Sequence, residues 1–284
     1  MPSKSKLFTR RKFLGALGLA TAGGAYARWG EPGWLQVGRH EVKLSKSHPQ
    51  TPLKLLHLSD FHASPVVSLD LIRQAIELGL SLNPDLICLT GDFITHKFDQ
   101  FPEYARVLSP LAQAAPTFAC LGNHDGGMWA GRHRGYPETT PVSELLRTSG
   151  VELLHNAAKR MRVQDWDLTL VGLGDIWAKD IQPLLAFPRA NGAGQTTTVV
   201  LSHNPDSKEP LAEFAWDLML CGHTHGGQLK LPLLGTPFAP VRDHRFVEGL
   251  NPWAGRWIHT TRGVGNLHGL RLNCPPEVSL ITLV

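Results

Sequence analysis

Eight side chains in this sequence are of the types, and stand at the spacings, that do metal chemistry. Asp60 and His62 lie two apart, Asp92 follows Gly91, and Asn123 and His124 sit inside Gly122-Asn123-His124-Asp125. His203 follows Ser202, and His223 and His225 flank Thr224. Carboxylate oxygens and neutral imidazoles suit borderline divalent metals such as zinc, manganese and iron. The set is too large for one tetrahedral ion and about right for two ions that share a bridge. An isolated Asp-x-His or Gly-Asp arises by chance in many chains, so the reading rests on all of them together and in this order.

Something must bring these residues together, and the intervening sequence says what. From Leu53 onward short apolar runs that end in polar clusters alternate with segments of helical spacing, the pattern of an α/β sandwich. The runs Leu53 to Leu58, Leu86 to Leu89, Thr117 to Leu121, Thr197 to Leu201 and Leu218 to Leu220 each read as a strand that delivers one of the clusters at its carboxyl end. Ligand sites in open α/β sheets lie at that end, so the clusters are expected to converge. Leu168 to Leu173 reads as a further strand. Ser68 is placed to cap a helix whose Leu71, Ile72, Ala75, Ile76 and Gly79 share a face, and a second helix is expected around Pro102 to Leu111. Trp257 to Thr261 and Ser279 to Val284 read as closing antiparallel strands. In a regular strand the two residues of Asp-x-His or His-x-His would point to opposite faces, so Gly222 and its loop are expected to turn the backbone.

In this order the motifs resemble the calcineurin-like metallophosphoesterases, over about 165 residues. The spans His203 to Lys208, Trp216 to Leu229 and Thr260 to Cys274, together with the leader, resemble the bacterial YaeI-type phosphodiesterase subgroup. The resemblance implies a four-layer α/β/β/α sandwich and two divalent metal ions, manganese, zinc or iron. It implies that Asp60, His62, Asp92 and His225 hold one ion and that Asp92, Asn123, His203 and His223 hold the other, with Asp92 as the bridge. Two ions about 3.5 to 4 Å apart can clamp phosphoryl oxygens and lower the pKa of a bridging water. His124 is not a ligand in that family; its implied role is to protonate the leaving alkoxide, with Asp125 orienting the ring or raising its pKa. The implied activity is hydrolysis of a small phosphodiester. A lipid-linked phosphate cleaved by an envelope pyrophosphatase of the UDP-diacylglucosamine hydrolase kind is the nearest rival, and a metal-binding protein without turnover is a rival of another class.

The overall charge of +4 has a local origin. Residues 1 to 27 carry Lys4, Lys6, Arg10, Arg11 and Lys12 and no acid, which leaves 23 bases against 24 acids in the rest. No nucleic-acid partner is expected from a nearly neutral body. Thr9-Arg10-Arg11-Lys12-Phe13-Leu14 resembles a twin-arginine signal, and the uncharged run that follows ends in Ala25-Tyr26-Ala27, a small-x-small site. The run is shorter than the roughly 20 apolar residues of a membrane span and contains four glycines. The reading is therefore a signal peptide over 1–27, a connecting segment over 28–52 and one phosphoesterase domain over 53–284. Expected partners beyond substrate are the twin-arginine export machinery and, through Trp29 and Trp34, peripheral contact with the outer side of the inner membrane. Cys88, Cys120 and Cys221 lie in apolar runs and read as small buried hydrophobes. His57 reads as packed or edge-exposed, and His40, His48, His96, His155 and His244 read as surface. The loop Gly126 to Gly135, Trp177 and Arg262 are candidates for substrate contact.

Overall fold

The computed structural model describes residues 10–44, 51–187 and 196–284; His48 lies outside them. Two six-stranded sheets stack face to face. In chain order, helix α1 (Arg10–Ala25) leads to strand β1 (Gln36–Val42), then β2 (Leu53–Leu58), α2 (Leu69–Leu80), β3 (Leu86–Thr90), α3 (Phe101–Ala114), β4 (Thr117–Cys120), α4 (Met128–Arg132), α5 (Thr140–Thr148) and β5 (Glu152–Leu153). There follow β6 (Ala157–Val163), β7 (Trp166–Gly172), α6 (Pro183–Ala186), β8 (Thr197–Leu201), β9 (Leu218–Cys221), β10 (Gly249–Trp253), β11 (Arg256–Thr260) and β12 (Glu277–Leu283).

The first sheet has the order β1-β12-β2-β3-β4-β5 and the second β10-β11-β9-β8-β7-β6. Strands β2 to β5 run parallel, as do β7, β8 and β9, so their carboxyl ends point the same way within each sheet. The tail strands differ from expectation: β11 is antiparallel to β10 but parallel to β9, and β12 is antiparallel to β2 but parallel to β1. Strand β1 lies within 28–52, so the stretch read as a connection supplies an edge of the first sheet.

Burial explains the stacking. Leu53, Leu55, Leu86, Cys88, Leu168, Leu170, Val199, Leu201, Leu218 and Leu220 fill the space between the sheets. Alternate residues of β2 and β3 (Leu56, Leu58, Ile87, Leu89) face out and meet Ile72, Ile76, Leu108 and Leu145 from α2, α3 and α5. Ser68 caps α2 by accepting the Leu71 N–H, and Ile72, Ala75, Ile76 and Gly79 are its buried stripe. The outer face of the second sheet is covered more thinly. Among the described residues only the four-residue α6 and single turns at Pro205–Lys208 and His244–Phe246 lie there, with Trp216, Leu211 and Phe246 shielding Val171, Val200 and Met219.

The N-terminal helix α1 has no buried residue. Its continuation is tied to the body: the Ala27 carbonyl accepts the Arg271 N–H at 2.9 Å, and the buried Glu31 carboxylate accepts the N–H groups of Asn273 and Cys274. No described helix is long and apolar enough to cross a membrane. All four cysteines are buried and unpaired.

Candidate metal centre

Every predicted ligand lies where a strand of one sheet or the other ends, and the structure brings all of them together. Asp60 and His62 follow β2, Asp92 follows β3, Asn123 and His124 follow β4, His203 follows β8, and His223 and His225 follow β9. Their exposure is 7% or less. The turns are made by the ligand residues themselves, not by Gly222: Asp60, His62, Asp92, His223 and His225 have φ of 53°, 51°, 54°, 69° and 50°. Left-handed backbone in non-glycine residues is costly and marks sites where position is functional. Gly222 acts differently, by proximity, because a Cβ there would overlap Ser59 Oγ and Asp60 Oδ2.

Two donor groups form around one carboxylate. In the first, His62 Nε2 lies 3.1 Å from His225 Nε2, and His225 Nε2 lies 3.3 Å from Asp60 Oδ1. In the second, His203 Nε2 lies 3.3 Å from His223 Nδ1. Asp92 Oδ2 serves both, at 3.4 Å from His62 Nε2 and 3.1 Å from His203 Nε2. Asn123 Oδ1 is buried without a hydrogen-bond partner. An acceptor oxygen left bare among imidazoles and carboxylates, where ring nitrogens face one another with too few protons between them, fits a cation. The residues present therefore suit the divalent ions that the motifs imply.

The electrostatics agree. Burial holds the His62 and His223 rings well below the ordinary histidine value, and burial with Arg271 nearby brings His225 to about 3, so these rings are neutral donors. Burial also pushes Asp60 up to about 6. Burial opposes ionisation of Asp92 and protonation of His203, but each holds the other's charge, and His203 is driven well above its ordinary value. A proton drawn to His203 marks a site that attracts positive charge.

Several residues that the motifs do not reveal orient the ligands. The Thr95 hydroxyl donates to the His62 carbonyl and lies 3.2 Å from His62 Nδ1, and the Thr95 carbonyl accepts the His124 Nδ1–H at 2.7 Å. The Thr90 carbonyl accepts the His203 Nδ1–H at 2.7 Å. Fixing the outer nitrogen in this way frees the inner one for a metal. Asp125 does not orient the His124 ring as anticipated. Its oxygens accept the N–H groups of Asp92, Phe93 and Gly122 at 2.7 to 2.8 Å, so it ties the ends of β3 and β4 together.

A cavity of about 460 Å³ opens onto the centre, lined by Asp92, Asn123, His124, His223 and His225 on one side and by Trp129, Trp177, Leu229, Phe238 and Leu267 on another. Trp129, from α4, meets the His124 ring edge-on at 4.6 Å, and Trp177 meets His223 at 4.3 Å. Arg132 and Arg134 of the same loop do not line the cavity. Trp177 is held by Asp175, a buried carboxylate that accepts the N–H groups of Trp177 and Ala178 and that no motif reveals. Arg262 turns away to Glu277 Oε2 at 3.0 Å. His57, read as packed or edge-exposed, is packed; of the histidines read as surface, His96 and His244 are exposed, whereas His155 is half-buried against Asp180 at 2.6 Å.

Comparison with known proteins agrees with this geometry. The family model for calcineurin-like phosphoesterases matches residues 53–227. Phosphodiesterase YaeI of Escherichia coli (strain K12) is 46% identical over 282 residues, covering 98% of this chain and all of the relative. The uncharacterized metallophosphoesterase YkuE of Bacillus subtilis (strain 168) is 30% identical, covering 98% of each. UDP-2,3-diacylglucosamine pyrophosphatase LpxG of Chlamydia trachomatis is 26% identical, over 88% of this chain and 90% of the relative. With a family match over more than half its residues and end-to-end likeness to a phosphodiesterase and a metallophosphoesterase, the chain belongs to the calcineurin-like phosphoesterase family.

Proposed function

We propose that this protein is a metal-dependent phosphodiesterase whose dinuclear centre is held by Asp60, His62, Asp92 and His225 on one side and by Asp92, Asn123, His203 and His223 on the other. The observation that carries the reading is the Asp92 carboxylate standing within 3.4 Å of histidines from both donor groups. Two divalent ions bound there would supply positive charge to a phosphoryl group and acidify a water for attack. The chain's own contribution is placement. Of the proposed ligands, Asp92, Asn123, His223 and His225 line one end of the cavity, so a phosphate bound there leaves its ester groups toward His124 and the apolar wall. With the His124 Nδ1–H held by the Thr95 carbonyl, Nε2 is the nitrogen that delivers a proton to the departing oxygen. Trp129 and Trp177 flank that path and exclude water from it.

The apolar wall favours a second, narrower reading. Trp129, Trp177, Leu229, Phe238, Pro240 and Leu267 suit a substrate with a hydrophobic body beside its phosphate, such as a lipid-linked phosphate. LpxG, named for a diacylglucosamine nucleotide, is a relative with that type of substrate. The leader's Arg10-Arg11 and its small-x-small end support export by the twin-arginine machinery to the periplasm. Exposed Trp29, Trp34, Leu233 and Phe238 support peripheral membrane contact.

The test is hydrolysis by the full-length protein, stripped with chelator and resupplied with manganese, zinc or iron. Substrates are bis-p-nitrophenyl phosphate, its monoester, a phospholipid and a nucleotide-linked diacylglucosamine. Metal-dependent cleavage of the diester is expected. Bound metal with no hydrolysis of any substrate would make this a metal-binding protein without turnover.

A further inference from the structure

The layer between the sheets changes character along its length. Leu53, Leu55, Ile281 and Leu283 make it apolar, and the same faces of β2 and β12 continue as His57, Glu277 and Ser279. His259 of β11 meets them from the facing sheet, and His40 meets them from β1. His40 Nε2 lies 3.8 Å from Glu277 Oε1, and the His40 and His259 rings are 4.6 Å apart. One ligand-type atom from each of His40, His259 and Glu277 falls within 4.8 Å of the other two. None of the three belongs to the catalytic set.

His259 is fully buried, and its Nε2 has no hydrogen-bond partner. Its other nitrogen, Nδ1, lies 3.0 Å from His57 Nδ1, while His57 Nε2 lies 2.8 Å from Thr90 Oγ1. One proton occupies the Nδ1 to Nδ1 contact. With that proton on His259, and with the His57 Nε2–H donated to Thr90, His259 Nε2 presents a bare lone pair in a dry interior. Metal-binding imidazoles are prepared in this way, the far nitrogen donating to a neighbour. Burial holds His259 at about 3, so the ring is neutral. Glu277 Oε2 is ion-paired with Arg262, whose Nε lies 3.0 Å away and whose main-chain N–H donates to it at 3.4 Å, which leaves Oε1, already accepting from Ser279, with a lone pair to offer. Gly38 keeps the space open, since a Cβ there would overlap Glu277 Oε1.

We propose that His40, His259 and Glu277 form a further divalent-cation site, suited to zinc, that ties edge strand β1 and its neighbour β12 to β11 of the facing sheet. Two imidazoles and a carboxylate are a zinc donor set, with water as the fourth ligand reached past the half-buried His40. The role is structural, because the site faces the inter-sheet core and opens onto no part of the catalytic cavity.

The full-length chain, stripped with chelator and dialysed against zinc, is analysed for metal per chain beside His40→Asn and His259→Gln. Wild type is expected to hold one more zinc than either variant, and zinc is expected to raise its thermal midpoint by more than that of His40→Asn. The one-ion difference is read whatever number the catalytic centre holds, so failure here and failure of the phosphodiesterase reading are separate results. His40 is half-buried on an edge strand, so His40→Asn keeps the test valid if His259→Gln does not fold. Equal zinc in wild type and folded His40→Asn would overturn the proposal, whether that zinc is two ions or three.

Discussion

His124 and Asp125 are adjacent, yet the structure gives them unlike tasks. His124 faces the cavity with its Nδ1–H on the Thr95 carbonyl, whereas Asp125 faces inward and collects backbone N–H groups. His124→Asn is therefore expected to keep its metal content and lose about 10²- to 10⁴-fold in rate on alkyl diesters with poor leaving groups, and much less on nitrophenyl esters. Comparing the two substrate series with metal analysis checks this. Asp125→Asn replaces one of the two accepting oxygens by an amide donor that then faces main-chain N–H donors, and should cost about 3 kcal/mol of stability, read from denaturant unfolding, with loss of metal following from the loosened β3 and β4 ends. The ligands were legible in the sequence because each motif closes a strand. Thr95, Thr90 and the main-chain role of Asp125 were not, because orientation by a main-chain carbonyl or N–H leaves no mark on residue type.

At the scale of elements, the parallel strands deliver ligands and the loops after them define the cavity. The β7–α6 connection carries Trp177 on Asp175, whose Oδ1 accepts two N–H groups at 2.7 and 2.9 Å. Burial pushes Asp175 up to about 6, and its buried Oδ2 has no partner, so the carboxylate is held against a desolvation cost. Asp175→Ala is expected to free Trp177 and raise KM about tenfold for substrates with an apolar body, with a smaller change in kcat; steady-state kinetics on a short and a long ester separate the two. Strands β2, β3, β4, β8 and β9 were legible from apolar runs ended by polar clusters. Strand β1 was hidden because its pairing partner, β12, is more than two hundred residues away and its faces are only half-buried. The same long-range pairing concealed the meeting of His40, His259 and Glu277.

Taken whole, the molecule is a nearly neutral two-sheet body joined to a basic N-terminal segment, with buried thiols and a buried phenol kept neutral away from the centre. Burial raises the thiol values of Cys88, Cys120 and Cys221 above the ordinary 9.0 and the Tyr104 phenol well above 10.0. These groups keep their protons in the folded state, while the unfolded chain releases them above about pH 9 to 10. Stability is thus unaffected below that range and falls as pH rises through it, by about 1.4 kcal/mol per pH unit for each group once titrated. Thermal unfolding from pH 7 to 11 should show a steep alkaline decline, less steep in Cys88→Ala once its own cavity cost is subtracted. Everything about the catalytic proposal turns on one carboxylate shared between two donor groups. The direct measurement is steady-state hydrolysis of bis-p-nitrophenyl phosphate by full-length Asp92→Asn beside wild type, both with saturating manganese. A loss larger than about a hundredfold, the upper range for partners that merely support a ligand, is expected; turnover within a few-fold of wild type would contradict a bridging role for Asp92.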